Sequence, residues 1–368
     1  MTIARLYGQH ADADSAVPVP TLSFELYPPR TLNPNSPLRG RIDRLIHSGP
    51  DWVSVTYGAS GATRGPSLSL INYVRDTTGT PTLAHLTCLG AREGDLTRLT
   101  KQLMADGVRN FLALRGDTPA KAAGTFAEEA LPHSPSGSQP GAEDTEDDDS
   151  PADEGAAAAD ALTRAVQLVR LIRAVDDHRL AATGATDRSS IAVACYPAAH
   201  GEGRKNDFLA LKDKQDAGAD FAITQVFYRA DDYISYVAEA REVGITLPII
   251  PGIIPLTDLG RLRRLAQLTG VQIPPDLEQQ LDIADDDQRV RVALKQTFSL
   301  CQQVLDAGAP GIHLYTFNRA RPALDIVDYL RAAGYRMHSG RMPGRDLGLA
   351  GAESALMEAT LRQITPGA

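Results

Sequence analysis

The stretch FAITQVFYRADDYISYVAEAREVGITLPIIPGII, at Phe221–Ile254, contains the pattern that indicates the fold class. Its two ends, FAITQVF and PIIPGII, are rich in β-branched and aromatic residues, which indicates strands. The segment between them follows a turn signal and is long enough for a helix. A strand, a helix and a second strand in this order indicate a βαβ unit, whose two strands lie parallel in one sheet.

The same pattern recurs along the chain, so eight strands are predicted in all. The other six predicted strands are TLSFEL (Thr21–Leu26), WVSVTY (Trp52–Tyr57), TLAHLTC (Thr82–Cys88), NFLALRG (Asn110–Gly116), SIAVACYP (Ser190–Pro197) and GIHLYTF (Gly311–Phe317). Apolar residues at helical spacing lie between them, as in Leu162, Val166, Val169 and Ile172. Open Rossmann sheets usually have fewer parallel strands, so we predict an α/β fold of the closed (βα)8 or TIM-barrel type. It would form a single catalytic domain over residues 21–340.

Composition excludes several classes of protein. No run approaches the roughly 20 apolar residues that a membrane span needs, and the N-terminal sequence MTIARLYGQHADADSAVPVP lacks the features of a secretory signal. We therefore expect a cytoplasmic protein. Cys88, Cys195 and Cys301 stand far apart without a CxxC pair, which argues against a disulfide framework or a thiolate zinc site. Reduced thiols near the core are expected.

The net charge of −9 is concentrated in one segment. Between Ala122 and Thr163 there are eleven acidic residues and no Lys or Arg, so the rest of the chain is near neutral and no nucleic-acid surface is indicated. The Pro, Ser, Gly and acidic content of residues 118–159 predicts a disordered insertion after the fourth strand. Residues 1–20 and 341–368 are weakly patterned and are expected to be peripheral tails.

The predicted strands end in polar residues, and in (βα)8 barrels the active site lies at these ends. These residues are Glu25, Thr56, Tyr57, His85, Thr87, Arg115, Asp117, Tyr196, His200, Thr224, Gln225, Tyr315, Asn318 and Arg319. Glu25 and Asp117, on opposite strands, are candidates for an acid/base pair, because burial raises the pKa of a carboxyl toward neutrality. The alternative for either carboxylate is charge balance with Arg115 or Arg319.

Two further features are ambiguous when taken alone. His85 lies inside an apolar strand, where a hydrogen-bonded core histidine is the common case, and no second metal-ligand motif accompanies it, so a metal site is not expected. The segment YGASGATRG (Tyr57–Gly65) matches neither GxGxxG nor GxxxxGK[ST]. It is compatible with a phosphate contact or with a sharp turn.

Taken together, these motifs resemble the methylenetetrahydrofolate reductase family. The matching blocks occur in the order found in that family. They are SFELYPPRT (Ser23–Thr31), VSVTYGASGATR (Val53–Arg64), AHLTC (Ala84–Cys88), ALRGD (Ala113–Asp117), ACYPAAH (Ala194–His200), DAGADFAITQVFY (Asp216–Tyr228), PIIPGIIP (Pro248–Pro255) and HLYTFNRA (His313–Ala320). The resemblance implies a (βα)8 barrel holding FAD. It would transfer a hydride from NADH or NADPH through FAD to 5,10-methylenetetrahydrofolate.

The resemblance also implies residue roles. Glu25 would be the catalytic acid that helps to open the imidazolidine ring, and Asp117 would lie near flavin N1 and the pterin, where its charge tunes the flavin. Gln225 would orient the folate and Arg319 would meet its glutamyl tail, with Tyr315 as a further substrate contact. The implied FAD contacts are Thr56, Tyr57, His85, Arg115, Gly116, Asp117, Tyr196, His200, Asp207 and Lys214. Among these, Arg115 and Lys214 suit the diphosphate.

Some points stay open at this stage. Leu265 stands where some bacterial members of the family have an aromatic residue that stacks on the nicotinamide, and its spacing with Leu262 and Leu268 is equally compatible with plain helix packing. The choice between NADH and NADPH is therefore not fixed, and a homo-oligomer is compatible with the sequence. A flavin-free reductase with direct hydride transfer is one alternative function. A non-catalytic barrel whose acidic segment binds a basic partner is the other.

Overall fold

Parallel strands form one continuous sheet in the computed structural model, which describes residues 2–8, 19–29, 31–56, 64–116 and 161–335. The strands are β1 (Thr21–Leu26), β2 (Trp52–Val55), β3 (Thr82–Thr87), β4 (Asn110–Leu114), β5 (Ser190–Cys195), β6 (Phe221–Thr224), β7 (Ile249–Ile250), β8 (Gly252–Ile253) and β9 (Gly311–Tyr315). Each predicted strand begins at or next to an observed first residue. Most predicted ends run one to three residues further, because the β-forming residues on which the predictions rest continue beyond the paired residues.

The sheet closes at Pro251, which separates β7 from β8. Strand β7 pairs with β6 and strand β8 pairs with β9, each in parallel register. Pro251 has no N–H to donate, but its carbonyl accepts a hydrogen bond from His313 N–H at 3.0 Å. The two short strands are thus the predicted seventh strand with an interruption, and the predicted (βα)8 barrel is confirmed.

The described helices, apart from the first, cover the outside of the barrel. The helices are α1 (Ala4–Gly8), α2 (Pro37–His47), α3 (Arg64–Thr78), α4 (Glu93–Ala105), α5 (Ala165–Thr183), α6 (Gly201–Asp216), α7 (Ala230–Glu242), α8 (Leu259–Thr269), α9 (Pro275–Leu281), α10 (Asp286–Asp306) and α11 (Ala320–Ala332). Helix α8 shows how local sequence fixes an end: the Asp258 side chain accepts from Arg261 N–H, and Gly270 ends the helix in the left-handed conformation. Of the predicted apolar stripe, Val166, Val169 and Ile172 lie in α5 and Leu162 precedes it, and all four side chains are buried.

The barrel interior has its own apolar cluster at the end where the strands begin. It comprises Ile3, Leu6, Trp52, Leu83, Leu112, Ala192, Phe221, Ile223 and Ile250. Helix α1 contributes the first two of these residues. Backbone N–H groups of Ile3 and Ala4 donate to the side chains of Asn110 and Ser190 at 2.8 Å. We expected the first 20 residues to be peripheral, whereas α1 instead closes the bottom of the barrel.

The remaining sequence-based expectations concern cysteines, membranes and the insertion. Cys88, Cys195 and Cys301 are buried and free, as predicted. Among the helices that the structure describes, none is long and apolar enough to cross a membrane. The acidic insertion at 118–159 and the segment after residue 340 lie outside the described residues.

Candidate active site

A pocket of about 270 Å³ opens where the strands end. Its lining residues are Glu25, Tyr27, Thr56, His85, Leu112, Leu114, Ala194, Ile223, Thr224, Gln225, Val226, Ile254, Leu265, His313, Tyr315 and Phe317. The strands are parallel, so all of their carboxyl ends meet at this one rim. Six of the polar strand-end residues therefore come together here from five different strands: Glu25, Thr56, His85, Thr224, Gln225 and Tyr315.

Glu25 is the only carboxylate among the described residues that line the pocket. It lies inward on β1 with 7% of its surface exposed. Burial raises the pKa of its carboxyl to about 7, although a hydrogen bond from the Tyr27 side chain acts in the opposite direction. A substantial fraction of Glu25 is thus protonated at neutral pH, as a general acid requires.

The turn after β9 holds Glu25 and Tyr27 in place. Thr316 Oγ1 donates to the Glu25 carbonyl at 2.6 Å. Asn318 accepts from Tyr27 N–H at 2.9 Å and donates to the Tyr27 carbonyl at 2.7 Å. Phe317 and Asn318 both have positive φ, near 50°, and the Phe317 ring stacks on Tyr27 at 5.7 Å. This left-handed turn therefore fixes the acid through its backbone and through its neighbour Tyr27.

Two buried histidines lie near Glu25 in the barrel. His85 Nε2 is 3.8 Å from Glu25 Oε2 and has no hydrogen-bond partner in the part of the chain that the structure describes. His313 contacts Ser23 Oγ through Nδ1 at 2.9 Å and Ser54 Oγ through Nε2 at 3.3 Å. Burial lowers the pKa of each imidazole to about 3. Both histidines are neutral at physiological pH, so neither can replace Glu25 as the acid.

The other walls are apolar or carry neutral polar groups. Gln225 Oε1 accepts from Val226 N–H at 2.9 Å, which leaves the side-chain NH2 available to a ligand. The Tyr315 hydroxyl donates to the Thr224 carbonyl at 2.7 Å. Leu265 reaches the pocket from α8. Its side chain therefore lines the site and also packs against the apolar cluster that includes Leu262 and Ile254.

A second set of predicted residues lies around the loop after β5 rather than in the pocket wall. Asp207 Oδ2 accepts from Tyr196 N–H at 2.9 Å and from the Tyr236 hydroxyl at 2.5 Å. Lys214 Nζ donates to the Ala194 carbonyl at 2.6 Å. Asp207 and Lys214 are buried, whereas Tyr196 is exposed. Asp207 therefore holds the loop after β5 at Tyr196, and Lys214 holds the end of β5 at Ala194.

Arg115, His200 and the turn after β4 lie at the rim. Arg115 and His200 are exposed, and Gly116 has φ of 89°. A Cβ added to Gly116 would lie 3.0 Å from the Thr87 side chain. The glycine is therefore required for this turn to pass so close to β3.

The mouth of the pocket is positively charged beside α8. Arg319 and Arg261 each approach Asp258 Oδ2 at 3.5 Å, so two guanidinium groups share one carboxylate. The Arg261 guanidinium also lies 4.5 Å from the centroid of the Phe317 ring. An anionic group of a ligand would find an excess positive charge here.

Sequence reasoning missed three polar or aromatic residues of the pocket. Tyr27, His313 and Phe317 were quoted within motifs but were not singled out. The period-two alternation of β1 and β9, continued past the strand ends, was the signal that identifies them. Tyr57 and Asp117 lie outside the described residues.

Comparison with known proteins agrees with this geometry. The family model for methylenetetrahydrofolate reductase matches residues 9–131 and 146–331. The chain is 32% identical over 313 residues to 5,10-methylenetetrahydrofolate reductase of Escherichia coli, covering 84% of this chain and 90% of that protein. It is 30% identical over 338 residues to a probable methylenetetrahydrofolate reductase (NADH) of Oryza sativa, covering 87% of this chain and 49% of that protein.

A third relative is a probable methylenetetrahydrofolate reductase (NADPH) of Caenorhabditis elegans, 32% identical over 318 residues, with 84% of this chain and 42% of that protein covered. The family model spans the strands that carry Glu25, His85, Gln225 and Tyr315. The chain therefore belongs to the methylenetetrahydrofolate reductase family.

Proposed function

We propose that this protein reduces 5,10-methylenetetrahydrofolate to 5-methyltetrahydrofolate, with NADH or NADPH as the hydride source and FAD as the bound cofactor. The observation that carries the proposal is the buried carboxyl of Glu25, whose pKa of about 7 suits a proton donor at neutral pH. Opening the imidazolidine ring requires a proton on a ring nitrogen, and a general acid works best when its pKa lies near the operating pH.

Glu25 and Gln225 have different roles toward the folate: the first donates a proton and the second orients the pterin. Glu25 donates a proton to the ring nitrogen, the ring opens to an iminium, and the iminium carbon becomes the hydride acceptor. Gln225 has its amide oxygen engaged by Val226 N–H, so its NH2 group can donate to an acceptor on the pterin edge. Asp117, assigned through the family resemblance, would accept from the pterin amino group.

The residues present fit FAD. Leu112, Leu114, Ala194 and Ile223 give the pocket an apolar floor that suits a flat ring system. Arg115 is exposed at the rim, where a guanidinium suits a diphosphate. When bound, FAD supplies the hydride carrier between nicotinamide and folate.

The charged mouth supports an anionic tail on the substrate. Arg319 and Arg261 share Asp258, which leaves positive charge for a carboxylate. Phe317 lies between this charge and the acid, since it contacts both Arg261 and Tyr27. The order acid, aromatic ring and cation along one wall matches the order pterin, benzoyl ring and glutamate in a folate.

The nicotinamide is proposed without a choice between NADH and NADPH. Relatives named for each cofactor match the chain with similar identity. Leu265 offers an apolar surface to the nicotinamide ring but no charge that would distinguish a 2′-phosphate from a hydroxyl.

Absorption spectra and half-reaction kinetics test the proposal. Purified protein should show visible flavin absorbance, which NADH or NADPH bleaches without oxygen and which methylenetetrahydrofolate restores, with methyltetrahydrofolate as the product. A colourless protein that still oxidises the nicotinamide with methylenetetrahydrofolate would be a flavin-independent reductase. A colourless and inert protein would be a barrel without this activity.

A further inference from the structure

His85 and Glu25 face each other at the mouth of the barrel. Their side chains, on β3 and β1, are 8% and 10% exposed, and His85 Nε2 is 3.8 Å from Glu25 Oε2. An N–H···O hydrogen bond requires about 2.7–3.2 Å. The two atoms are therefore less than about one ångström from bonding distance, which a small side-chain rotation supplies.

The unpartnered nitrogen of His85 is not a general feature of histidines in this barrel. His313, equally buried, has Ser23 Oγ within 2.9 Å of Nδ1 and Ser54 Oγ within 3.3 Å of Nε2. His85 Nε2 has no such partner among the residues described. Buried polar atoms are nearly always hydrogen-bonded, so an exception at the edge of a site calls for a functional explanation.

The charge state of the pair follows from its surroundings. Glu25 faces the Tyr27 and Tyr315 side chains as well as His85, and His85 faces His313 in addition to Glu25. The described residues lining the pocket include no Lys or Arg. Burial keeps the imidazole neutral by lowering its pKa. A neutral imidazole carries one N–H, and its strongest acceptor in this setting is an ionised carboxylate.

We infer that His85 is a positioning residue for Glu25: its Nε2–H donates to Glu25 Oε2 once that carboxyl has released its proton. The inference rests on the proposed function for the meaning of that proton transfer. The proton passes from Glu25 to the folate nitrogen, no bond to His85 is made or broken, and the new hydrogen bond stabilises the carboxylate left behind. His85 thereby makes Glu25 a stronger acid than burial alone would allow.

Titration of Glu25 in the protein without folate tests this hydrogen bond independently of the reaction. The infrared C=O band of the protonated carboxyl, assigned by its loss in Glu25→Gln, gives the midpoint as a function of pH. Three variants are compared with the unsubstituted protein. His85→Leu removes the N–H, His85→Gln places an amide N–H near the position of Nε2, and Thr87→Val is the control on the same strand.

We expect His85→Leu to lower the acid dissociation constant of Glu25 about tenfold, while His85→Gln and Thr87→Val stay within about twofold of the original value. The pH profile of folate reduction should move to higher pH in His85→Leu by the same factor. An unchanged or increased dissociation constant in His85→Leu would overturn the inference. Should His85→Leu not fold, His85→Asn, whose amide is too short to reach Oε2, carries the same expectation.

The two proposals fail in different ways. A shifted Glu25 titration in a protein without reductase activity would leave the hydrogen bond standing and remove the proposed function. An active reductase in which His85→Leu leaves the Glu25 titration unshifted would support the proposed function and remove the hydrogen bond.

Discussion

Gly252 lies directly against Tyr315 at the point where the barrel closes. A Cβ added to Gly252 would stand 2.6 Å from the Tyr315 hydroxyl oxygen and closer still to the Thr224 carbonyl oxygen. The same hydroxyl donates to that carbonyl at 2.7 Å. A side chain at position 252 would thus break the contact that fixes Tyr315 in the pocket wall.

Gly252→Ala is therefore expected to destabilise the protein by about 1–3 kcal/mol or more, because one of the clashing atoms belongs to the backbone of β6. Thermal unfolding measures the effect. Gly260→Ala, in the first turn of α8 with its nearest neighbour at 3.6 Å, is the matched control and should be neutral or stabilising by up to about 1 kcal/mol. Equal stability of the two variants would contradict the packing described for the closure.

Asn318→Gly tests the turn that holds Tyr27. Glycine tolerates the left-handed backbone at position 318, so the substitution removes mainly the two hydrogen bonds to Tyr27. The expected loss of stability is about 1–3 kcal/mol, from two bonds of about 0.5–1.5 kcal/mol each. Folate reduction, measured per folded molecule, should also slow, because Tyr27 no longer holds Glu25 in position. Asn33→Gly, at an exposed turn, is the control, and similar turnover in both variants would contradict this role.

Glu25→Gln separates the two halves of the proposed reaction. Reduction of the flavin by the nicotinamide needs no proton from the protein and should proceed at a near-normal rate. Reoxidation by methylenetetrahydrofolate should slow by at least about a hundredfold, since glutamine cannot donate the proton that a general acid supplies. Stopped-flow absorbance of the flavin follows both steps. Equal slowing of the two steps, or of neither, would assign Glu25 a structural role.

The same substitution should change the pH dependence of stability. The folded-state pKa of Glu25, about 7, lies above its ordinary value of 4.5, so its contribution to stability is complete below pH 4.5 and is lost as the pH rises through 7. Glu25→Gln removes this loss. The free energy of unfolding of the variant, relative to that of the unsubstituted protein, should therefore rise by about 2–3 kcal/mol from pH 5 to pH 8. Urea unfolding of both proteins at the two pH values measures this rise. If the difference between their free energies of unfolding were the same at pH 5 and pH 8, the pKa of Glu25 would not be raised in the folded state.

Much of the architecture is readable from the sequence because it depends on local patterns. The strand beginnings, the inward position of Glu25 and the gathering of polar strand ends all follow from period-two alternation in parallel strands. Helix α1 escaped prediction because five residues are too few to display a helical period. Its position depends on side chains of Asn110 and Ser190, which are remote in sequence.

The finer geometry of the site depends on how the barrel closes. Strand β1 has β9 as a neighbour, and the turn after β9 supplies Thr316 and Asn318, each 291 residues away in sequence, to Glu25 and Tyr27. The unpartnered state of His85 likewise emerges only once three strands are in register. Such relationships are set by long-range packing, which sequence periodicity does not encode.

Trp52 is the sole tryptophan of the chain, and it lies fully buried in the barrel with its ring stacked 4.9 Å from His313. All indole fluorescence of this protein therefore originates inside the barrel, next to α1 and opposite Ser23, which lies two residues before the acid on β1. Emission wavelength and lifetime become an intrinsic reporter of water entry into that interior. Melting of the outer helices and opening of the barrel can thus be told apart in one experiment, without attaching any dye.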